Sequence, residues 1–199
     1  MPRITAIRQQ QKLKDRYSIY VDGGYFCSLS EAALLQSGIT SNTEVSDEQL
    51  AGYKQLSQDD KLWGGALRYA ARRLRSTWEI EDYLRRKEAS SELTAQYVAR
   101  LRDIGMLNDN YFAQVWVENR KLLKPSSKRR IRQELLQKRI PESIISEVLA
   151  GDTTDDRDAL RDLIAKKRRQ TKYQDDMKLK QYLARQGFGF DDINAALQD

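Results

Sequence analysis

The chain contains no histidine, and this gap excludes whole classes of chemistry. Without an imidazole there is no Ser-His-Asp triad, no Cys-His pair and no His-ligated metal site. Cysteine is nearly absent too. Cys27 stands alone, so an intrachain disulfide and a cysteine-based zinc site are both excluded, and the usage fits a reducing compartment. No run approaches the roughly 18 apolar residues of a membrane span, and the opening MPRITAIRQQ lacks the apolar core of a signal peptide. These absences predict a cytoplasmic protein with no membrane partner, no cofactor and no metal. With no credible carboxylate pair either, they predict a protein that is not an enzyme.

What is present is a foldable, basic and strongly helical composition. The 199 residues are 40% hydrophobic with three Trp, ten Tyr and four Phe, enough for a packed core. Lys and Arg outnumber Asp and Glu by 35 to 29, but unevenly: residues 1–60 carry 6 basic and 8 acidic side chains, residues 61–199 carry 29 and 21. The positive balance therefore belongs entirely to the later part. Such a field faces phosphate or an acidic protein, or is a solvated helical surface.

The segment from Ser127 to Leu149 reads as a basic amphipathic helical hairpin with the apolar skeleton Ile131, Leu135, Ile145 and Leu149. The same steps recur from Leu179 (Leu183, Ile193, Leu197) and from Ile80 (Leu84, Thr94, Val98), the last copy leaning on Leu93, Tyr97 and Leu101. The starts lie 51 and 48 residues apart, a spacing that points to stacked supersecondary units, each too small to bury its apolar face alone.

Taken in order, residues 4–10, 16–21 and 25–29 read as a small antiparallel meander turning at Asp22-Gly23-Gly24. Ser30 opens a short helix closed by Gly38, and Ser46 opens another to about Leu56. From Asp60 the period becomes helical. Leu67, Ala70, Ala71, Leu74 and Trp78 share a face, Ser76 and Glu79 form a capping box, Ser90 caps a helix closed by Gly105, and Asn108 caps the next. Pro141 suits the first turn of its helix, Gly151–Asp155 is an acidic connector, and Gly187 ends a later helix. The predicted fold is mainly α: a β-rich module at 1–58, then helix-turn-helix-like three-helix repeats at 61–104, 105–150 and 155–199.

On a helix, cations are normally answered by carboxylates one turn away, as in Glu81 and Asp82 before Arg85 and Arg86, Glu134 before Lys138, and Asp162 before Lys166. Three groups lack such neighbours apart from Glu79 beside Arg75: Arg68, Arg72 and Arg75; Lys128, Arg129 and Arg132; and Lys167, Arg168 and Arg169, with Lys172 following. Like charges at helical spacing cost a few tenths of a kcal/mol per pair, so a row on each repeat is better explained by an anionic partner than by stability. Trp63, Trp78 and Trp116 occupy apolar helix positions and read as core rather than base-stacking residues. The GFGF stretch at 187–190 lacks the context of a phosphate loop. Asp152, Asp155, Asp156 and Asp158 read as helix-start charge rather than a calcium site.

The combination of Arg73-Leu74-Arg75-Ser76 with Glu79-Ile80 and Leu84, the turn Gly105-Met106-Leu107-Asn108-Asp109 before Phe112-Ala113, and Arg130-Ile131 with Glu134-Leu135, Lys138 and Ile140 resembles the RecX regulatory proteins. The resemblance covers about residues 61–199, and the strand-rich start is similar to the N-terminal extension of some members. Met106, Asn108, Arg139 and Glu88-Ala89 depart from the family pattern. The resemblance implies a curved, elongated array of three-helix repeats, acting as a monomer along the groove of the RecA recombinase filament. It implies contact with protein and with single- or double-stranded DNA, and restraint of strand exchange, ATPase and co-protease activity in DNA repair and the SOS response. The nine row cations are the expected contacts. The rival expectation is a helical protein that binds DNA itself, its triplets serving as helix-turn-helix units.

Overall fold

The computed structural model describes residues 1–123, 125–153 and 155–198, and is mainly helical. The chain divides into two compact units, Met1–Arg72 with Tyr83–Tyr97, and Arg73–Asp82 with Val98–Asp199.

In the first unit, β1 (Ile4–Gln9), β2 (Arg16–Val21) and β3 (Gly24–Ser30) form an antiparallel sheet in the order β1-β2-β3. The turn between β2 and β3 holds Asp22 and Gly23 at φ 49° and 82°, the left-handed pair that a two-residue hairpin requires. Ile4, Ile19, Cys27 and Leu29 bury one face against Ala33, Ile39 and Val45. Helix α1 (Glu31–Ser37) is capped by Ser30 and closed by Gly38 at φ 64°.

Helix α2 (Asp47–Ala71) opens on a capping box between Ser46 and Gln49 and runs 25 residues. The break predicted between Leu56 and Asp60 is absent. The polar run that suggests a loop is instead buried tertiary contact: Ser57 donates to the Ser28 carbonyl at 2.7 Å, and Asp60 accepts from the Ser30 backbone N–H at 2.9 Å and pairs with Arg16 at 2.9 Å. Gly65 is required inside this helix, because a Cβ there would lie 2.7 Å from the Tyr83 hydroxyl, whose ring stacks on Tyr69 at 4.5 Å. Leu74, predicted on the apolar face, lies past the helix end and is 40% exposed.

Helices α3 (Thr77–Arg85) and α4 (Ser91–Asp103) each pass from one unit to the other. The predicted capping box opens α3: Ser76 Oγ accepts from the Glu79 N–H at 3.3 Å and the Glu79 carboxylate accepts from the Ser76 N–H at 3.2 Å. Ser90 caps α4 and Asn108 caps α5 (Asp109–Leu123), at 3.2 and 3.0 Å.

In the second unit α5, α6 (Lys128–Gln137) and α7 (Glu142–Gly151) enclose one core, with Phe112, Ala113, Val117, Ile131, Leu135, Ile140, Ile145 and Leu149 buried. The next triplet is α8 (Asp156–Arg168), α9 (Asp176–Arg185) and α10 (Phe190–Gln198), with a 3-10 turn at Thr171–Tyr173. Its core is Leu160, Leu163, Tyr173, Leu179, Leu183, Phe188 and Ile193. The skeleton of the repeat is therefore its buried interior; only Thr94 and Leu197 remain half-exposed.

The repeat extends to the backbone. Eight residues after each skeleton start stands a residue in the left-handed region: Glu88 at φ 60°, Arg139 at 56° and Gly187 at 91°. The following N–H then closes the helix end, from Ala89 to Leu84 O at 3.1 Å, Ile140 to Leu135 O at 3.1 Å and Phe188 to Leu183 O at 3.4 Å.

Candidate partner interface

Inside the second unit, successive repeats are joined through helix ends. The N-cap serine of one middle helix meets the C-cap carbonyl of the next: Ser76 Oγ donates to Lys138 O at 2.9 Å, while Ser127 sends its N–H to Gln186 O at 3.1 Å and its hydroxyl there at 3.4 Å. Both serines are essentially without solvent exposure. At the first joint Glu79, also buried, gathers Arg73 at 2.7 Å, Lys138 at 3.1 Å and Arg75 at 3.8 Å. Burial pushes the Glu79 carboxyl up, but hydrogen bonds from Arg73, Lys138 and the Ser76 backbone outweigh it and hold the group at about 2.

Around this framework the nine row cations divide. The side chains of Arg68, Arg72, Arg129 and Arg169 are exposed and make no ion pair or hydrogen bond among the described residues. The others are engaged, by partners that a one-helix view misses. Arg75 shares Glu79, and Arg132 pairs with Glu142 across the turn between α6 and α7. Lys128 gives its backbone N–H to Asp156 at 3.1 Å and its ammonium to Asp152 O at 2.6 Å. Arg168 bonds Asp176 and the Gln174 carbonyl. Lys167 sits over Tyr173 and Tyr182, 5.4 and 4.8 Å from the ring centroids, and Lys172 over Tyr173 at 5.6 Å. The structure gathers none of the three rows into an uninterrupted patch of free cations.

Two clusters are held mostly by contacts that spacing along one helix does not give, Arg130–Glu134 excepted. Glu134, predicted to pair with Lys138, is drawn instead to Trp116 Nε1 at 3.0 Å, Arg120 at 2.6 Å and Arg130 at 3.1 Å. Burial opposes its ionisation, and these three bonds overcome it, holding the carboxyl below its ordinary range. Trp116 is thus half-buried and polar at its edge, with Arg120 and Lys138 at 5.1 and 5.6 Å from its centroid. Trp63 and Trp78 are likewise half-buried rather than central. The acidic connector also does more than start a helix. Asp155 caps α8, but Asp152 is buried against Lys121 at 2.5 Å, and the carboxyl of Asp156 is raised by burial and by the charges of Asp152 and Asp155.

In the first unit Arg68 opens onto a groove of about 660 Å³, lined also by Lys61, Tyr83 and Lys87 and by the carboxylates of Asp59 and Glu88. Among the described residues no helix is long and apolar enough to cross a membrane.

A sheet-headed chain with three-helix units, jointed through helix caps and bearing free cations on their surfaces, defines a tandem helical-repeat protein. Comparison with known proteins narrows that class. Models of the RecX N-terminal domain and of its first, second and third three-helix domains match residues 2–46, 65–101, 108–149 and 155–197. Regulatory protein RecX of Bacillus subtilis is 32% identical over 203 residues, spanning 99% of this chain and 76% of that one. Its counterpart in Lactobacillus gasseri is 33% identical over 149 residues, 75% and 55% of the respective chains. A crystal structure of regulatory protein RecX superposes with a TM-score of 0.74 at 25% identity over the full length of both chains. That of RecX from Lactobacillus salivarius gives 0.58 at 24% identity over 71% and 95%, and shares the fold. The chain belongs to the RecX family.

Proposed function

We propose that the protein is a non-enzymatic regulator that binds the RecA recombinase filament on DNA and lowers its strand exchange, ATP hydrolysis and co-protease activity. Its setting would be DNA repair and the SOS response in the cytoplasm. The observation that carries this reading is membership of a family whose curated relatives bear the name regulatory protein, joined to free surface cations on all three repeats: Arg68 and Arg72, Arg129, and Arg169. A filament is a repeating lattice, and several modest contacts from repeats held on one chain add through effective concentration. Regulation of this kind needs no chemistry: binding one filament state more tightly than another, or covering the path of a second DNA, suffices. The protein acts as a monomer, with the units at 61–104, 105–150 and 155–199 as successive points of contact.

A second reading, direct action on DNA, is favoured by the same cations and by the helix-turn-helix character of the units. The two separate in one experiment. Recombinase ATP hydrolysis and strand exchange on single-stranded DNA are followed while the protein is titrated in, beside its affinity for the same DNA alone. Suppression at concentrations that leave naked DNA largely free supports the filament reading. Tight, salt-sensitive DNA binding with no effect on the recombinase refutes it in favour of the second.

A further inference from the structure

The N-terminal sheet carries a charged surface of its own. Averaged over residues 1–60 its charge is slightly acidic, but the three strands do not share that character: residues 1–30 hold 5 basic and 2 acidic side chains. Arg3, though exposed, donates to the Asn42 carbonyl, and half-buried Arg16 pairs with Asp60. Arg8, Lys12 and Lys14 are exposed and make no ion pair among the described residues.

Arg8 adjoins a row of aromatic rings. Ala6, Tyr20 and Tyr25 are neighbours in register across β1, β2 and β3, on the face opposite the core row of half-buried Ile7 and buried Ile19 and Cys27. Tyr20 meets Tyr25 edge-on with centroids 6.1 Å apart, and the Arg8 guanidinium covers Tyr20 at 5.3 Å. Tyr25 is 57% exposed, so the outermost ring keeps surface available for another π system. On the same face Arg8 is in register with Ser18, two residues or about 7 Å along β2 from Tyr20, and the loop carrying Lys12 and Lys14 follows β1. One end of the track thus offers stacking and the other positive charge, with a guanidinium between them.

We propose that this outer sheet face is a short binding track for single-stranded nucleic acid, with an unpaired base stacked on Tyr25 and the backbone phosphates led past Arg8 towards Lys12 and Lys14. Unpaired bases stack on exposed aromatic rings irrespective of sequence, whereas a duplex hides its base faces and offers only charge. An acidic protein would satisfy the cations and leave the tyrosines without a purpose. The track stands on the first unit alone and does not depend on the recombinase reading.

The test uses the intact chain and no recombinase. A short labelled oligothymidylate is titrated with wild type, Tyr25→Ala, Tyr25→Phe and Arg8→Gln, and a 5-iodouracil version is photocross-linked and mapped by mass spectrometry. Cross-links within residues 17–28 are expected. Tyr25→Ala should weaken binding about 5- to 160-fold through loss of one stacked base, and Tyr25→Phe should restore it. Arg8→Gln should flatten the salt dependence by about 0.7 in logarithmic slope, the value for one phosphate contact on a single strand. Cross-links confined to the helices overturn the proposal. So does an affinity indifferent to Tyr25, or a duplex of the same length bound as well as the single strand.

Discussion

Glu79→Gln is the substitution that most directly tests the first joint. The amide keeps an oxygen able to accept from the Ser76 N–H, so the capping box survives and only the charge is removed. A carboxyl carried from its ordinary 4.5 to about 2 gains about 3.4 kcal/mol in the folded state. The whole of that is not recovered. Glu79 is buried, but the Arg73 side chain is 48% exposed and that of Lys138 29%, so both cations regain water once the charge is lost. A net loss of about 2 kcal/mol near neutral pH is expected, below the range for a fully buried pair. The folded value lies below the unfolded one, so the contribution is complete above the unfolded value of about 4.5 and fades as pH falls towards 2. The assay is urea unfolding of wild type and variant side by side at about pH 7 and about pH 3, where more than half of the difference should have gone. A gap under about 0.5 kcal/mol at neutral pH, or one that does not shrink on acidification, would refute the reasoning.

The remaining expectations concern the helix ends and the surface. Gly187→Ala places a Cβ 2.4 Å from Ser127 Oγ and 2.7 Å from Arg130 Cβ at φ 91°, so it should wedge the second joint open. A loss of about 3 kcal/mol in thermal or urea unfolding is expected, more than φ strain alone costs. Glu88→Gly and Arg139→Gly should do the opposite, each raising stability by about 0.5–1 kcal/mol by relieving left-handed backbone at φ 60° and 56°; a fall in the melting midpoint of both would contradict the assignment. Arg129→Glu with Arg169→Glu should leave unfolding within about 0.5 kcal/mol of wild type, since neither side chain has a partner to lose among the described residues. The same double variant should inhibit the recombinase less, whereas unchanged inhibition would remove these cations from the interface.

Much of the fold was legible because helix ends are local events. Ser76 with Glu79, Ser90, Asn108 and Gly187 each act within a few residues, and the structure uses every one as a cap or a helix stop. The run Ser57-Gln58-Asp59-Asp60 was illegible for the converse reason: its polar atoms are satisfied by a strand about thirty residues away, so composition suggests a loop where there is buried helix. The same blindness affects the cations. A one-helix rule gives Lys138 to Glu134, but Trp116 and Arg120 on α5 claim Glu134, and Lys138 reaches Glu79, 59 positions back. Arg132 and Arg168 find acids beyond a helix end, which i±4 counting does not cover. The track on the sheet was hidden by averaging, because the acidic residues of 31–60 mask the cations of 1–30.

The joints explain how the surface could diverge while the framework repeats. At both, the acceptor is a backbone carbonyl, of Lys138 in one case and Gln186 in the other, and the donor a buried N-cap serine. The carbonyl contact is the same whether the residue is Lys or Gln, and each side chain adds its own bond at its joint, Lys138 to Glu79 at 3.1 Å and Gln186 accepting from the Ser126 hydroxyl at 3.4 Å. The same holds eight residues after each skeleton start, where Glu88, Arg139 and Gly187 all adopt the left-handed turn. The backbone contact is thus what the two joints share, and the side chains around it differ. Ser76→Ala should disturb the repeat stack by leaving the half-buried Lys138 carbonyl short of a donor, while substitutions at Arg129 or Arg169 should leave the stack itself unchanged.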